Sequence, residues 1–136
     1  MTDIGARIPS LLALIRQQVP DLLAVYGFGS QFNGTAGADS DLDLAVLVAG
    51  KADTLQLWQV SSELADLAGC DVDLLDLRAA STVMQYQIIT QGERLWQLDH
   101  QAGVYESFIL SAKTELDEAR AGLLKDIQQR GSVYGR

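Results

Sequence analysis

The acidic residues that could do chemistry in this chain fall into two tight groups. Asp39, Asp41 and Asp43 crowd one segment, and Asp71, Asp73 and Asp76 crowd another. On a strand, alternate residues share a face, so Asp41 and Asp43 project together with attachment points about 6.5–7 Å apart. Two carboxylates about 5 Å apart repel by roughly 3 kcal/mol at an effective dielectric near 20. A shared proton, a neighbouring Lys or Arg, or a hard cation offsets such repulsion, and the adjacent sequence holds no base. An oxygen-rich, nitrogen-poor set suits Mg²⁺, which bridges carboxylates and substrate phosphates. Asp71 and Asp73 repeat the spacing. If their strand lies beside the first, a third carboxylate joins the pair, and three carboxylates support two metals that clamp the attacking and leaving oxygens of a phosphoryl displacement. A lone D-x-D is more often a turn residue or a solvated edge charge, so the metal reading leans on what precedes it.

Gly29 and Ser30 precede it, directly after an apolar run. Glycine lets backbone N–H groups approach a phosphate closely, and serine adds a donor. A helical turn starting after Ser30 aims free N–H groups at the anion. The loop then returns to the acidic segment, so phosphate donors and metal carboxylates meet in one place. Gly-Ser alone does not outweigh a plain turn-rich connection.

The elements that must position these residues follow from periodicity. Ile8, Leu11, Leu12, Ile15 and Val19 mark an amphipathic helix ended by Pro20. Leu22 to Phe28 reads as a buried strand. Residues 29–40 read as a loop or a very short helix. Asp41 to Val48 is a second strand, with Leu42, Leu44, Val46 and Val48 expected in the core. Thr54 to Ala68 is a helix, Asp71 to Leu77 a third strand, and Thr82 to Thr90 a helix stopped by Gly92. Arg94 to Leu98 is a short last strand. Tyr105, Phe108, Ile109, Ala112, Leu116, Ala119, Leu123 and Ile127 mark a long amphipathic helix. Its face either packs on this domain's own sheet or, with Tyr105, Phe108 and Ile109 leading, receives a partner. The expected fold is an α/β (α+β) domain with a small mixed sheet flanked by helices. Residues 1–130 form one domain and 131–136 a flexible tail.

Composition narrows the function. The chain has 136 residues, of which 48% are apolar, enough for one domain with its own core. Eighteen acids against ten bases give a formal net charge of −8, and no run of Lys or Arg exists. A nucleic-acid backbone is gripped by clustered bases, so no direct nucleic-acid partner is expected. One cysteine, Cys70, rules out an internal disulfide. The N-terminal stretch is broken by Asp3, Arg7 and Pro9. Neither a signal peptide nor a membrane span is expected, and the cytoplasm is the expected location. Competing motifs fail. Gly27 and Gly29 start a dinucleotide fingerprint, but the next glycine, Gly34, comes too late. No P-loop is present. The single histidine, His100, supports neither a Ser-His-Asp triad nor a histidine-rich zinc site. Trp58 and Trp96 read as core or partner-facing residues.

Gly29-Ser30, ten residues, then Asp41-Leu42-Asp43 resembles the G-S-x10-D-x-D signature of the polymerase-β-like nucleotidyltransferases. The wider run VYGFGSQFNGTAGADSDLDLAVLV is similar to the minimal nucleotidyltransferases (MNT), and DVDLLDL to that family's third-carboxylate strand, with Asp73 at the matching position. Chain length, the following helix and the closing Tyr-Gly-Arg resemble MntA-type antitoxins, which are paired with HEPN-domain toxins. The resemblance implies that Gly29 and Ser30 bind nucleotide phosphates and that Asp41, Asp43 and Asp73 hold metal, with Asp73 also helping to deprotonate the acceptor. It implies ATP as co-substrate, two Mg²⁺ ions, and transfer of AMP to a hydroxyl, expected to be a tyrosine, of a HEPN ribonuclease bound as a hetero-oligomer. Two alternatives stand beside it. One is a binding-only antitoxin that neutralises by contact. The other is an enzyme acting on a small-molecule acceptor, although such enzymes usually carry an extra acceptor-binding domain. The chain departs from the family pattern at two places. Gln31, Asn33 and Gly37 stand where relatives carry a base, which leaves Arg78 or a partner to supply positive charge. Gly27 replaces a bulky aliphatic residue, which is expected to loosen the first strand.

Overall fold

The computed structural model describes residues 4–33 and 41–134, with side chains for 5–32 and 41–129. The expected loop residues Gly34, Gly37 and Asp39 lie outside the described residues, as does the side chain of Asn33. So do the last two residues of the expected tail.

Helix α1 (Ile4–Gln18) leads into β1 (Leu22–Phe28) and the single turn α2 (Ser30–Asn33). Strand β2 (Leu42–Val48), helix α3 (Thr54–Ala68) and strand β3 (Val72–Asp76) follow. A 3-10 turn (Leu77–Ala79), α4 (Thr82–Gln91), β4 (Glu93–Gln97) and α5 (Gln101–Tyr134) complete the order. The sheet runs β3-β2-β1-β4. β2 and β3 are parallel, while β1 is antiparallel to both β2 and β4. The parallel pair requires a crossover, and α3 supplies it. Asp53 caps α3 by accepting from the N–H groups of Leu55 and Gln56, and Ser81 caps α4 through the N–H of Met84.

Both faces of the sheet are covered, so β1 and β2 are apolar on both sides rather than alternating. Leu42, Leu44, Val46 and Val48 pack with Leu11, Ile15, Leu57 and Leu64 of α1 and α3. Ala45 and Leu47, on the opposite face, pack with Tyr26, Leu77, Ile88 and Ala102 beneath α4 and α5. The core is therefore two-sided, where the sequence reading placed only the even-numbered residues of β2 inside. A bulge between Leu22 and Ala24 shifts the β1–β2 register at the far end from the acidic segment.

Gly27 does not loosen β1. A side chain there would begin 2.3 Å from the Phe32 ring. The absent side chain is replaced by an aromatic ring delivered from α2, which ties that turn to the core over α1 and α3.

Helix α5 divides into two parts. Its first turns pack on α4 and β1, with Ala102 and Ile109 buried. Tyr105 donates its hydroxyl hydrogen to Gln85, and Tyr26 donates to Glu106, which also pairs with Arg94. Tyr105 and Ile109 are thus committed to this domain, and of the three residues expected to lead a partner surface only Phe108 is exposed. Thirty-four residues span about 50 Å, and Leu123, Leu124 and Ile127 in the distal half are exposed. Among the described residues, no helix is long and apolar enough to cross a membrane.

Candidate active site

The register of the parallel pair decides where the acids meet. Asp43 of β2 is the direct partner of Asp73 of β3. Neighbouring strands lie about 4.8 Å apart, and side chains of register partners project to the same face. That face is shared with Ala45 and Leu47, so both carboxylates lie on the α4/α5 side of the sheet. Asp41 stands one residue before β2, which begins at Leu42 rather than at Asp41. Asp43 is half-buried, whereas Asp41 and Asp73 are exposed. Burial raises the pKa of Asp43, and the negative charges of Asp73 and then Asp41 raise it further. The three carboxylates therefore share one electrostatic neighbourhood at one end of β2 and β3.

The Gly-Ser turn abuts this neighbourhood. Phe28 is the register partner of Asp43, so Gly29 leaves β1 beside the acidic strand. Gly29 has φ of 77°, and a Cβ there would lie 2.4 Å from Oδ2 of Asp43. Glycine is needed twice over: for the left-handed backbone and for the carboxylate pressed against its Cα. The Phe32 N–H donates to the Gly29 carbonyl at 3.0 Å, closing α2 as a turn and placing Ser30 at its start.

The other acids of the two groups do different work. Asp76 accepts from the N–H of Arg78 at 3.1 Å and from that of Ala52 at 3.4 Å, and so shapes the exit of β3. Asp71 precedes β3 and offers its carbonyl to the Leu42 N–H at 2.9 Å. Arg78 does not approach the phosphate turn. Its Nε donates to the carbonyl of Val48 at 2.8 Å, and its guanidinium lies 4.5 Å from the centre of the Tyr105 ring. Val48 is five residues along β2 from Asp43, about 16 Å at strand rise, so Arg78 serves the opposite end of the sheet. Cys70 packs beside the core over α1 and α3. Burial pushes its thiol pKa up, with Asp41 and Asp71 adding to the effect, which is the behaviour of an inert thiol rather than a nucleophile.

The donor set at the acidic end is carboxylate oxygen alone, which fits a hard divalent cation. Among the described residues, as their side chains stand, no group of three His, Cys, Asp or Glu could hold a metal ion. Sequence reasoning did not single out a small cavity of about 160 Å³ that opens beside Gly29, between Phe28 and α4. Its polar residues, Gln87 and Gln91, were hidden within a helix with no charge pattern to mark them. A larger surface cleft, about 790 Å³, lies around Arg16, Asp21 and Trp96. It sits at the other end of β1 and takes no part in this site.

The family model described as polymerase beta, nucleotidyltransferase matches residues 11–101. The protein adenylyltransferase MntA of Shewanella oneidensis is 36% identical over 117 residues, covering 86% of this chain and 84% of that protein. A toxin–antitoxin crystal structure with AMP-PNP contains a chain 35% identical, with a TM-score of 0.78, covering 89% of this chain and 98% of that one. A structure of tri-AMPylated Shewanella oneidensis HEPN toxin in complex with MNT antitoxin matches at 31% identity and a TM-score of 0.74, covering 93% of this chain and 99% of that one.

Proposed function

The chain belongs to the polymerase β nucleotidyltransferase family, and from that membership we propose that it transfers AMP from ATP to a hydroxyl, a tyrosine phenol, of a partner HEPN toxin, the bond from the α-phosphorus to pyrophosphate breaking as the bond to the acceptor oxygen forms, and so neutralises it. The observation that carries the proposal is the register pairing of Asp43 with Asp73 while Gly29 is pressed against Asp43. One end of the sheet thereby offers carboxylates for metal and a turn for phosphates side by side.

Each group has a distinct task. The backbone N–H groups of Gly29 and Ser30, with the Ser30 hydroxyl, hold the triphosphate and keep its α-phosphorus near the acidic strand. Asp41, Asp43 and Asp73 hold Mg²⁺, in a set suited to two ions. Bound Mg²⁺ supplies charge neutralisation at the phosphates and lowers the pKa of the acceptor hydroxyl. Asp73, the exposed member on the outer strand, is open to the acceptor and receives its proton. A phenol with an unperturbed pKa of about 10 releases that proton more readily than an aliphatic alcohol. The exposed Leu123, Leu124 and Ile127 of distal α5 offer the partner an apolar docking surface. A helix standing beyond its own domain suits recognition of a protein acceptor.

The test is incubation of the purified chain with labelled ATP, Mg²⁺ and a HEPN-domain toxin. Label on the partner, lost with Asp43→Asn plus Asp73→Asn, supports the proposal. A tight complex that suppresses the ribonuclease without transfer, and equally well with the double variant, replaces it with neutralisation by contact.

A further inference from the structure

Helix α3 carries two adjacent serines, Ser61 and Ser62, that use their hydroxyls differently. A serine inside a helix commonly turns its hydroxyl back onto a carbonyl of the preceding turn. Ser62 does so, donating to the Trp58 carbonyl at 3.4 Å. Ser61 instead reaches out of the helix and donates to the carbonyl of Val72 at 3.1 Å. Its place on α3 allows this. Ser61 lies one turn from Leu57 and one turn from Leu64, both buried. It therefore stands at the border of the face that α3 lays on the sheet, and it is half-buried there.

The group that Ser61 holds leads directly into Asp73. β3 is an edge strand, beside β2. Leu42 is the register partner of Val72 and donates its N–H to the Asp71 carbonyl. In a parallel ladder that pairing turns the N–H of Asp73 toward β2 and leaves the Val72 carbonyl on the open side. The Val72 carbonyl and the Asp73 N–H belong to one planar peptide unit. The ladder holds one end of that plane and Ser61 the other. The tilt of the plane sets the direction in which the Asp73 side chain leaves the strand. That side chain is exposed, so its aim toward Asp43 depends on the backbone beneath it. Asp43, by contrast, is half-buried and lies against Gly29. The two carboxylates are fixed by different means, and the hold on Asp73 is the more easily lost, because unpaired edges open locally at low cost.

We propose that Ser61 is a positioning residue for Asp73: its hydroxyl clamps the Val72–Asp73 peptide at the sheet edge, so that the carboxylate stays beside Asp43 and open to the acceptor. Ser61 belongs to the layer on the opposite face of the sheet from the carboxylates, and it acts around the edge of β3 rather than through the core. The inference rests on the nucleotidyl-transfer reading above and adds to it a residue outside the carboxylate set.

The experiment compares the full chain as wild type, Ser61→Ala and Ser61→Thr. Alanine is the strongest helix former, so Ser61→Ala should fold and melt close to wild type. Amide hydrogen exchange followed by NMR in metal-free buffer reads the clamp itself. The Asp73 amide should exchange about fivefold faster in Ser61→Ala, as loss of one hydrogen bond predicts, while the amides of β1 keep their rates. Transfer of labelled AMP to a HEPN-domain toxin reads its use. In Ser61→Ala, kcat should fall about tenfold, the order expected when a group at the reacting atoms is displaced. KM for ATP should stay within about twofold, because the triphosphate is held at the other side of the site. Ser61→Thr keeps a hydroxyl and should restore both the exchange rate and most of kcat. A retained kcat in Ser61→Ala overturns the inference. So does a fall in kcat accompanied by faster exchange throughout the sheet, or one that Ser61→Thr does not restore, since either assigns Ser61 to stability rather than to Asp73. Wild type that transfers no AMP sinks the transfer reading and the inference with it, whereas active wild type with an equally active Ser61→Ala sinks the inference alone.

Discussion

Replacing Asp43 with Asn tests whether the acidic end is built around charge that the protein alone does not neutralise. Asp43 and Asp73 are register partners on parallel strands, which sets their carboxylates about 5 Å apart. At an effective dielectric near 20 the repulsion is about 3 kcal/mol. Asp73 is exposed, and solvent reduces such an interaction to about 1 kcal/mol. Asn keeps the shape that lies against Gly29 and removes the charge, so Asp43→Asn should raise stability in metal-free buffer at pH 7 by about 1 kcal/mol, or about 3–5 °C in Tm. The pH dependence follows from the raised pKa. Folded Asp43 keeps its proton where the unfolded chain has lost it, so wild-type stability falls as pH rises from the ordinary carboxylate range through the raised folded pKa, and is level above it. The variant's advantage is therefore full at neutral pH and vanishes in acid. Mg²⁺ at ten times its Kd stabilises wild type by about 1.4 kcal/mol, enough to cancel or reverse the difference, and the variant should gain far less. Calorimetry with and without EDTA at pH 4 and 7 reads all of this. A lower Tm for Asp43→Asn at pH 7 in EDTA would refute the reasoning, because it would mean that internal contacts already satisfy the carboxylate.

Three further changes probe the supports of the site. Gly29→Ala forces a side chain into a backbone of φ 77° and against Asp43. It should cost about 1–2 kcal/mol from the backbone alone and abolish transfer, as read by urea titration and labelled-ATP assay. Gly27→Val should destabilise by about 1–3 kcal/mol through overpacking on Phe32. Combined with Phe32→Ala, the loss should fall clearly short of the sum of the two single losses; additivity would mean that the ring does not fill the glycine's place. Tyr105→Phe removes the hydroxyl that serves buried Gln85. It should lower stability by about 1–2 kcal/mol and leave ATP affinity unchanged, because this bond anchors α5 rather than the nucleotide.

Much of the candidate site was legible because it depends on local rules. A Gly-Ser pair at the end of an apolar run, followed by D-x-D, needs only strand alternation to place a phosphate turn beside carboxylates. The bounds of β1 and α3 followed from apolar periodicity and from turn residues such as Gly50 and Asp53. What was hidden depends on pairing across the sheet. Periodicity does not encode strand order, so the alignment of Asp43 with Asp73 rather than with Asp71 waited for the register. Gly27 looked like a defect because its complement, Phe32, lies five residues away and reaches it only through the α2 turn. Arg78 looked available to phosphates because charge in a sequence carries no direction; the carbonyl of Val48 holds it at the far end of β2. The long apolar stripe of α5 was visible, but not the point at which it stops packing on its own domain.

The two faces of the sheet differ in burial, and that difference favours one of them for the proposed chemistry. The face under α1 and α3 is filled by large aliphatic residues, with Leu11, Ile15, Leu42, Leu44, Val46 and Leu64 each no more than 1% exposed. An ion on that side would lose its hydration with nothing to replace it. The other face is covered only partly, because α4 packs near β1 and β4 while β3 is left half-open, as the exposed Asp73 and half-buried Leu75 show. That asymmetry lets Asp43 sit deep enough for its pKa to rise yet remain open to the cation and substrate proposed above. Deeper burial would neutralise the carboxylate by protonation and abolish metal binding. Fuller exposure would leave it a surface charge with little hold on an ion. On the proposed reading, the close approach of α4 to β1 at Gly92 is a functional constraint as well as a packing one. It sets how far the helix covers the acidic end, and any change that lifts α4 should alter nucleotide binding before it alters the core over α1 and α3.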